Sequence, residues 1–587
     1  MKKLLLVFAV VGATFMSQAQ VICAVQSPAS IAGNYNFTWA DPPGGWGTPD
    51  FLIPGTYIED TIIMVNDGTP GNNATYGNLL AEEGCNPSPA NAYAGKICVI
   101  RRNTCEFGTK AYEAQLAGAV GVIIVNRDPD VIGMGPGAQG ANVTIPVVML
   151  SSTDGQLLID QMANGPVVVL IGNKTGLYPN DLGITPGTTL ISKSYGVPSQ
   201  LAQNASEFNF DLGTRVYNYG TGTQNNVTVT ATIKNPAGTS VYNNTVNVGT
   251  LISGDSVDIY PGGAFTFPNF SLPTYAPGRY KLSYTVTLSG VSDDYDADNA
   301  VSSDFVVNDS IFSYAMLDTL TGLPVANNGY RPSTNNATFS TCMVINNPNA
   351  SRIGVKGIYF SASTASSSGV TLEGEEIALN LYKWEDVFTD LNDANLGFTT
   401  LNSVAFGFYN YTSDLQSETV YGAFDTPVLL EDNQRYLACA QTVNLEVYLG
   451  HDTKTNYLWN EAFYLQPLSP NESDGTYFAS GFGMDVPSAM GLAVFNAAEL
   501  GVDEVTSTVN GKAFPNPANN EITVSIEGEG AAQVVVTDLA GKVVMNNSVT
   551  LVNGNADMNI STLDAGMYVF NVSLENGKTS QFNVVKK

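Results

Sequence analysis

Gly95-Lys96-Ile97-Cys98-Val99-Ile100-Arg101-Arg102-Asn103-Thr104-Cys105-Glu106-Phe107 runs into Thr109–Ala119 and then Val120-Gly121-Val122-Ile123-Ile124-Val125. Lys96–Ile100 is a short apolar stretch closed by two arginines, which predicts a strand followed by a turn through Arg101–Cys105. Over Thr109–Ala119 the residues Ala111, Ala114, Leu116 and Ala117 fall on or near one helical face, and Gly118 marks the stop. Val120–Val125 is apolar almost throughout, as expected of a strand covered on both faces. Ile145–Leu150 predicts another strand and Asp154–Met162 a second helix. These elements make a small α+β module within about 20–175.

This stretch resembles the protease-associated (PA) domain. The matching residues are Gly95–Arg102, Cys105-Glu106-Phe107, Lys110, Ala117-Gly118-Ala119, Val122–Asn126, Ile145–Leu150 and Asp154-Gly155. The sequence departs from the family at Arg102-Asn103, where a glycine more often follows the first arginine. The resemblance implies an accessory module that binds protein or peptide. Its expected contact residues here are Arg101, Arg102, Asn103, Glu106, Phe107 and Asn126, with the loop Asp128–Gly140 beside them.

The chain has 587 residues, more than one core serves, so several domains are expected. From 176 to 308 the pattern alternates apolar and polar, as in Val227–Ile233 and Tyr280–Leu288, with turn residues at Asn235–Gly238 and Pro277-Gly278. That predicts an immunoglobulin-like β-sandwich. Region 309–498 carries further strand patterns at Val355–Phe360, Ile377–Trp384, Gln434–Gln441 and Asn444–Leu449, and is read as a jelly-roll-like β-sandwich. A polar linker is placed at 499–512 and a small all-β domain at 513–587. The fold class is therefore mainly β and multidomain.

The last domain resembles the type A C-terminal sorting domain of the type IX secretion system of the Bacteroidetes. Pro515, Asn516, Pro517, Asp538, Gly541, Lys542, Gly566, Tyr568, Lys586 and Lys587 fall in that family's order. The resemblance implies engagement with the type IX secretion machinery, removal of the domain, and release or attachment to surface polysaccharide. At the other end, Lys2 and Lys3 precede the apolar run Leu4–Phe15, and Ser17-Gln18-Ala19 offers a small-x-small cleavage site. Residues 1–19 are read as a signal peptide, so the protein is expected outside the cell or on its surface. The apolar run is too short to span a bilayer, and no transmembrane segment is expected in the mature chain.

A net charge of −29 argues against nucleic acid as a partner, since phosphates require Lys and Arg to neutralise them. Six cysteines in an exported chain favour disulfides. The expected pairs are Cys85–Cys105 and Cys342–Cys439, leaving Cys23–Cys98. Asp294, Asp296 and Asp298 alternate along Asp293–Asn299 and form a candidate calcium set, although the loop lacks the Gly and terminal Glu of an EF-hand.

The chain contains one histidine, His451, so a zinc site built on two His one helical turn apart is impossible. Glu375 and Glu376 are adjacent, and on a strand they point to opposite faces, so they do not make a glycosidase pair. No catalytic residue is assigned. The expectation is a non-catalytic exported binding protein. The competing expectation is a secreted hydrolase, peptidase-related or carbohydrate-active, with its site inside 309–498.

Overall fold

Strands buried on both faces need a helix above and a helix below, and the N-terminal module supplies them. The computed structural model describes residues 20–587 apart from 129–130, 333–337, 366–368, 482, 485, 501–510, 539–541 and 575–577. The signal peptide over 1–19 and the sorting residue Gly541 lie outside the described residues. Eight strands form the first sheet: β1 (Val21–Ser27), β2 (Gly33–Asn34), β3 (Phe37–Trp39), β4 (Tyr57–Met64), β5 (Ile97–Arg101), β6 (Gly121–Val125), β7 (Val147–Leu150) and β8 (Val168–Asn173). Their spatial order is β2-β1-β8-β4-β5-β6-β7-β3, with β4 to β7 parallel.

Helix α1 (Phe107–Leu116) covers one face of this sheet and α2 (Ser152–Met162) the other. Cys98, Ile100, Val122 and Ile124 pack with Ala111 and Ala114 of α1, whereas Ile97, Val99, Ile123 and Val125 pack with Leu158 of α2. Alternate residues of one strand thus serve two cores, which explains why the runs are apolar without alternation. The second helix sits so close that a Cβ on Gly155 would collide with the Val125 side chain.

Two of the expected disulfides form, Cys85–Cys105 and Cys342–Cys439. The third does not: Cys23 and Cys98 are both free and buried. Cys23 lies on β1 and Cys98 on β5, with β8 and β4 between them. Three inter-strand steps put the backbones roughly 14 Å apart, about twice the separation a disulfide tolerates. The two thiols also face opposite cores. Pairing them by elimination was therefore wrong.

The region 176–308 holds a five-stranded sheet of Gly196–Pro198, Ala300–Asn308, Gly278–Thr287, Gln224–Lys234 and Ser240–Leu251, faced by Ser256–Ile259, Thr214–Asn218 and Leu182–Thr189. Val229, Ala231 and Tyr284 from the first sheet share a core with Ile184, Val216 and Ile259 from the second. The region from 309 holds two six-stranded sheets, and Leu379, Leu381 and Ala438 of one meet Ile358, Phe360 and Leu449 of the other. The two regions share one continuous apolar cluster. Asn460 reinforces the joint by accepting from the Ile191 N–H at 3.0 Å and donating to the Ile191 carbonyl at 2.8 Å. Cys342 and Cys439 sit directly opposite each other on neighbouring strands, under Trp384.

The chain divides into two compact units, Met1–Val494 and Phe495–Lys587. In the second, strand Gly511–Phe514 pairs with Glu521–Ile526, so this strand includes the last two residues of the stretch read as a linker. Tyr568, Phe570, Val572 and Leu574 all point into its core, as their alternation requires.

Burial pushes the thiols of Cys23 and Cys98 up to about 12, so neither offers a thiolate to solvent. Titration with a thiol reagent under non-reducing conditions is expected to find no reactive thiol in the native protein and two after unfolding in denaturant. A single mixed disulfide between Cys23 and Cys98, giving none after unfolding, contradicts the arrangement.

Candidate functional site

The turn after β5 is organised around one carboxylate, Glu83, whose residue is fully buried. It closes the short helical turn Leu80–Glu83 beside the disulfide Cys85–Cys105. Asn73, Asn78 and Asn103 donate to Oε1 from their side-chain amides at 2.8, 3.0 and 3.2 Å. Oε2 accepts from the Thr104 backbone N–H at 3.3 Å and from the Thr104 hydroxyl. Burial alone raises a carboxyl, but these donors outweigh it and hold Glu83 below its ordinary range. Lys110, on the buried face of α1, donates to the Glu83 carbonyl at 2.6 Å. Burial lowers that ammonium to about 8, opposed by the charges of Glu83 and Asp67.

The turn thus fixed carries the expected contact residues. Arg101 donates to Glu82 at 2.7 Å and to Gln156 at 3.1 Å, so it ties the turn to α2. Arg102 donates to the Asn126 amide oxygen at 2.8 Å, lies 3.3 Å from Asp128, and stacks over Phe107 at 5.6 Å. Asn103 stands at φ 154°, a conformation that glycine takes readily and residues with a side chain rarely adopt. Glu106 faces away from the arginines: its carboxylate accepts from the Ala138 N–H at 2.9 Å and holds the Gly-rich loop. In that loop the Met134 carbonyl accepts from the Trp46 indole at 2.9 Å, which pins the segment there.

Arg127 and Tyr76 complete this surface, and the sequence reading had missed both. Arg127 donates to the Tyr76 hydroxyl at 3.0 Å, stacks over its ring at 5.5 Å, and shares Asp128 with Arg102. Tyr76 is exposed. Two guanidinium planes backed by two aromatic rings, with one carboxylate between them, form a cationic, rigid patch on a strongly acidic protein. Such planes suit carboxylates and peptide carbonyls, which accept paired N–H donors. Lys110 was legible as a residue of the PA resemblance, whereas nothing in the local sequence marks Glu83 as its partner.

Elsewhere, the single histidine of the chain is enclosed. The ring of His451 is buried, with Nδ1 3.0 Å from the Leu449 carbonyl and Nε2 3.4 Å from the Thr341 hydroxyl. Burial lowers its pKa to about 4. The adjacent Asp452 is taken up by the Met316 and Lys454 N–H groups, Thr455 and Asn327. Trp384 is buried, and Cys439 is in a disulfide.

The aspartates of the candidate calcium loop take separate partners. Asp294 accepts from the Asn180 N–H at 2.8 Å, and Asp298 pairs with Lys174 at 2.9 Å. Among the described residues no group of three acidic, His or Cys side chains is arranged to hold a metal ion.

Comparison with known proteins places these pieces. A family model described as PA domain matches residues 71–158. Residues 71–158 are a PA domain. A second, described as secretion system C-terminal sorting domain, matches 512–586 and is the sorting domain of the type IX system. An aminopeptidase of Bacillus subtilis is 40% identical over 67 residues, 11% of this chain and 15% of its own length. A leucine aminopeptidase of Trichophyton equinum is 33% identical over 104 residues, 17% of this chain and 20% of its own. The solved structure of an aminopeptidase from Aneurinibacillus matches 27% of this chain and 31% of its own at 14% identity, with a TM-score of 0.19. The chain thus spans a minor part of each of these relatives.

The sorting domain indicates export to the surface or beyond it and implies engagement with the type IX machinery. No helix among the described residues is long and apolar enough to cross a membrane. Within the sorting domain, Asn516 brackets the last strand, donating to the Asn583 carbonyl and accepting from the Val585 N–H, each at 2.8 Å. The Asp538 carboxylate accepts from the Lys542 N–H at 3.0 Å, and the Tyr568 hydroxyl donates to the Asp564 carbonyl at 3.0 Å. Lys586 and Lys587 end that strand, with the Lys587 N–H donating to the Ala518 carbonyl at 2.8 Å.

Glu83→Gln removes a charged acceptor from five donors, at an expected cost of about 2–3 kcal/mol at neutral pH. A carboxyl held low in the fold contributes stability above its unfolded pKa and loses it as pH falls through the folded value. The gap between wild type and E83Q in urea unfolding is therefore expected to shrink below about pH 4. An equal gap at pH 7 and pH 3 contradicts the hub.

Proposed function

We propose that the protein is an exported, non-catalytic binder whose PA domain captures protein or peptide partners through the Arg102–Phe107 and Arg127–Tyr76 patch. The observation that supports this reading most is the enclosure of the only imidazole. His451 is held neutral inside the sandwich, and its neighbouring carboxylate is saturated. The matched aminopeptidases are matched over the PA segment alone, so their catalytic portions have no counterpart in the alignment.

The competing hydrolase needs a cleft with convergent polar groups in 309–498. A cavity of about 330 Å³ does open there, lined by Lys193, Arg435, Asn460, Tyr464 and Gln466 among others. It presents cations and amides, and none of its described lining residues is Asp, Glu or His. A pair of carboxylates flanking a scissile bond has no place in it.

Captured partners should carry carboxylates or an extended backbone able to meet two fixed guanidinium planes. With immobilised casein peptides as probe, the double variant Arg102→Ala with Arg127→Ala is expected to weaken retention at least about tenfold, since hot-spot arginines contribute 1.4 kcal/mol or more. Undiminished retention removes the patch from the account. The same preparation with added Zn²⁺ is expected to leave leucine p-nitroanilide and casein intact, and turnover lost in His451→Ala sinks the non-catalytic reading. In the producing cell, a chain ending at 511 is expected to accumulate in the periplasm on fractionation, while the full chain is found outside.

A further inference from the structure

Lys174 follows the last residue of β8, and its side chain is wholly buried. Its backbone N–H donates to the Gln20 carbonyl at 2.7 Å, fixing the residue at the edge of the PA-containing module. Nζ lies 2.5 Å from Asp181 Oδ1 and 2.9 Å from Asp298 Oδ2. The rings of Tyr219 and Tyr295 flank it at 4.4 and 4.3 Å. Asp181 is fully buried, whereas the Asp298 side chain retains 17% exposure. Asp181 Oδ2 and both Asp298 carboxylate oxygens are buried without a hydrogen bond, Asp298 Oδ2 meeting Nζ only as an ion pair. A Cβ on Gly183 would strike both Asp298 and Tyr219, so that position must stay bare for the group to assemble.

One ammonium and two carboxylates in an aromatic box leave an uncompensated negative charge, and burial of that kind favours retention of a proton. Burial raises Asp181 to about 7 and Asp298 to about 6, against the pull of Lys174. An amine, a carboxyl and a second acid are thereby held together away from water. The ion pair leaves three carboxylate oxygens without a hydrogen bond; condensation of Lys174 with Asp298 removes one buried ammonium and one buried carboxylate together, leaving Asp181 as a neutral acid.

We propose that Lys174 and Asp298 become joined after folding by an isopeptide amide between Nζ and Cγ, with Asp181 as the assisting acid. The ammonium passes a proton to the Asp298 carboxylate across their contact. The freed amine attacks Cγ of the neutral acid, and Asp181 protonates the oxygen of the tetrahedral adduct. The hydroxyl leaves as water while Asp181 recovers a proton from the nitrogen. One N–C bond forms, one C–O bond breaks, one water departs, and no oxidant or reductant is consumed. Fixed contact supplies the effective concentration that free amines and acids lack. Hydrolysis would have to regenerate two ions inside the tyrosine box, which disfavours the reverse step. The partly exposed edge of Asp298 gives the water its exit.

The bond would link the end of the N-terminal module to the residue two before strand Ala300–Asn308 of the first sandwich. An exported protein gains from this a crosslink that reductants cannot cut.

Mass spectrometry of the intact, disulfide-reduced full chain tests the bond. The expected mass is one water below that of the unlinked sequence, and the same chain carrying Lys174→Arg shows no such loss. Trypsin is expected to spare Lys174 and release a branched peptide containing Lys174 and Asp298, while Asp181→Asn slows or abolishes its formation. Full sequence mass in the wild type, with linear peptides covering both residues, overturns the proposal whether or not the variants fold. A branched peptide joining Lys174 to Asp181 also overturns it.

Discussion

A buried ammonium persists only where oxygen atoms meet it, and this chain places one at each of two strand ends in its first module. Lys110 anchors the turn after β5 through the Glu83 carbonyl, within the field of the Glu83 and Asp67 charges. Lys174 anchors the end of β8 through Asp181 and Asp298. Charged residues are scarce here, 13% of the chain, so each buried one is tied to a specific architectural need. The first fixes the loop that displays the arginine patch, and the second fixes the joint to the following sandwich. Tyr295 adds to that joint by hydrogen bonding to Asn34 and packing beside Ile22, Ala24 and Leu170. Display surface and module geometry therefore follow from the same constraint on burying cations.

The strands were legible because their side chains obey local rules. Tyr568 to Leu574 alternate into one core, and Val120–Val125 is apolar throughout because α1 and α2 cover its two faces. The helices were placed a residue or two late at their starts, at Thr109 against Phe107 and Asp154 against Ser152, because the Ser151 hydroxyl and the turn before Phe107 set those ends rather than apolar spacing. Long-range pairings were legible only where chemistry narrowed the choice. Cys342 and Cys439 pair across neighbouring strands, but the remainder, Cys23 and Cys98, meet no such condition because strand order is not written in local sequence. Asp298 illustrates the same limit. Its alternation with Asp294 and Asp296 suggested a cation, and the cation it meets is an ammonium from residue 174.

Motif residues of the sorting domain show how recognition and folding overlap. Asn516 and Lys587 attach the Pro-Asn-Pro segment and the final strand to each other by backbone-type hydrogen bonds, and Asp538 closes the hairpin to Lys542. Loss of the side chain at 516 would release the Val585 N–H and the Asn583 carbonyl together to solvent. Several residues that mark the family thus hold the final strand in place.

Both guanidinium groups of the proposed patch are already engaged within the protein. Arg102 is held by Asn126, Asp128 and Phe107, and Arg127 by Tyr76 and Asp128, so neither guanidinium has to be ordered when a ligand arrives. Ordering a flexible arginine at an interface costs about 0.5–1.5 kcal/mol, and preorganisation removes that cost for both. An acidic or extended peptide would also be concentrated there by contrast, since the surrounding protein is strongly negative and repels it elsewhere. The same repulsion disfavours nonspecific adhesion along the sandwiches. On the proposed reading, a protein of this charge would select ligands by position, with the N-terminal turn as the place where an acidic partner would meet fixed donors.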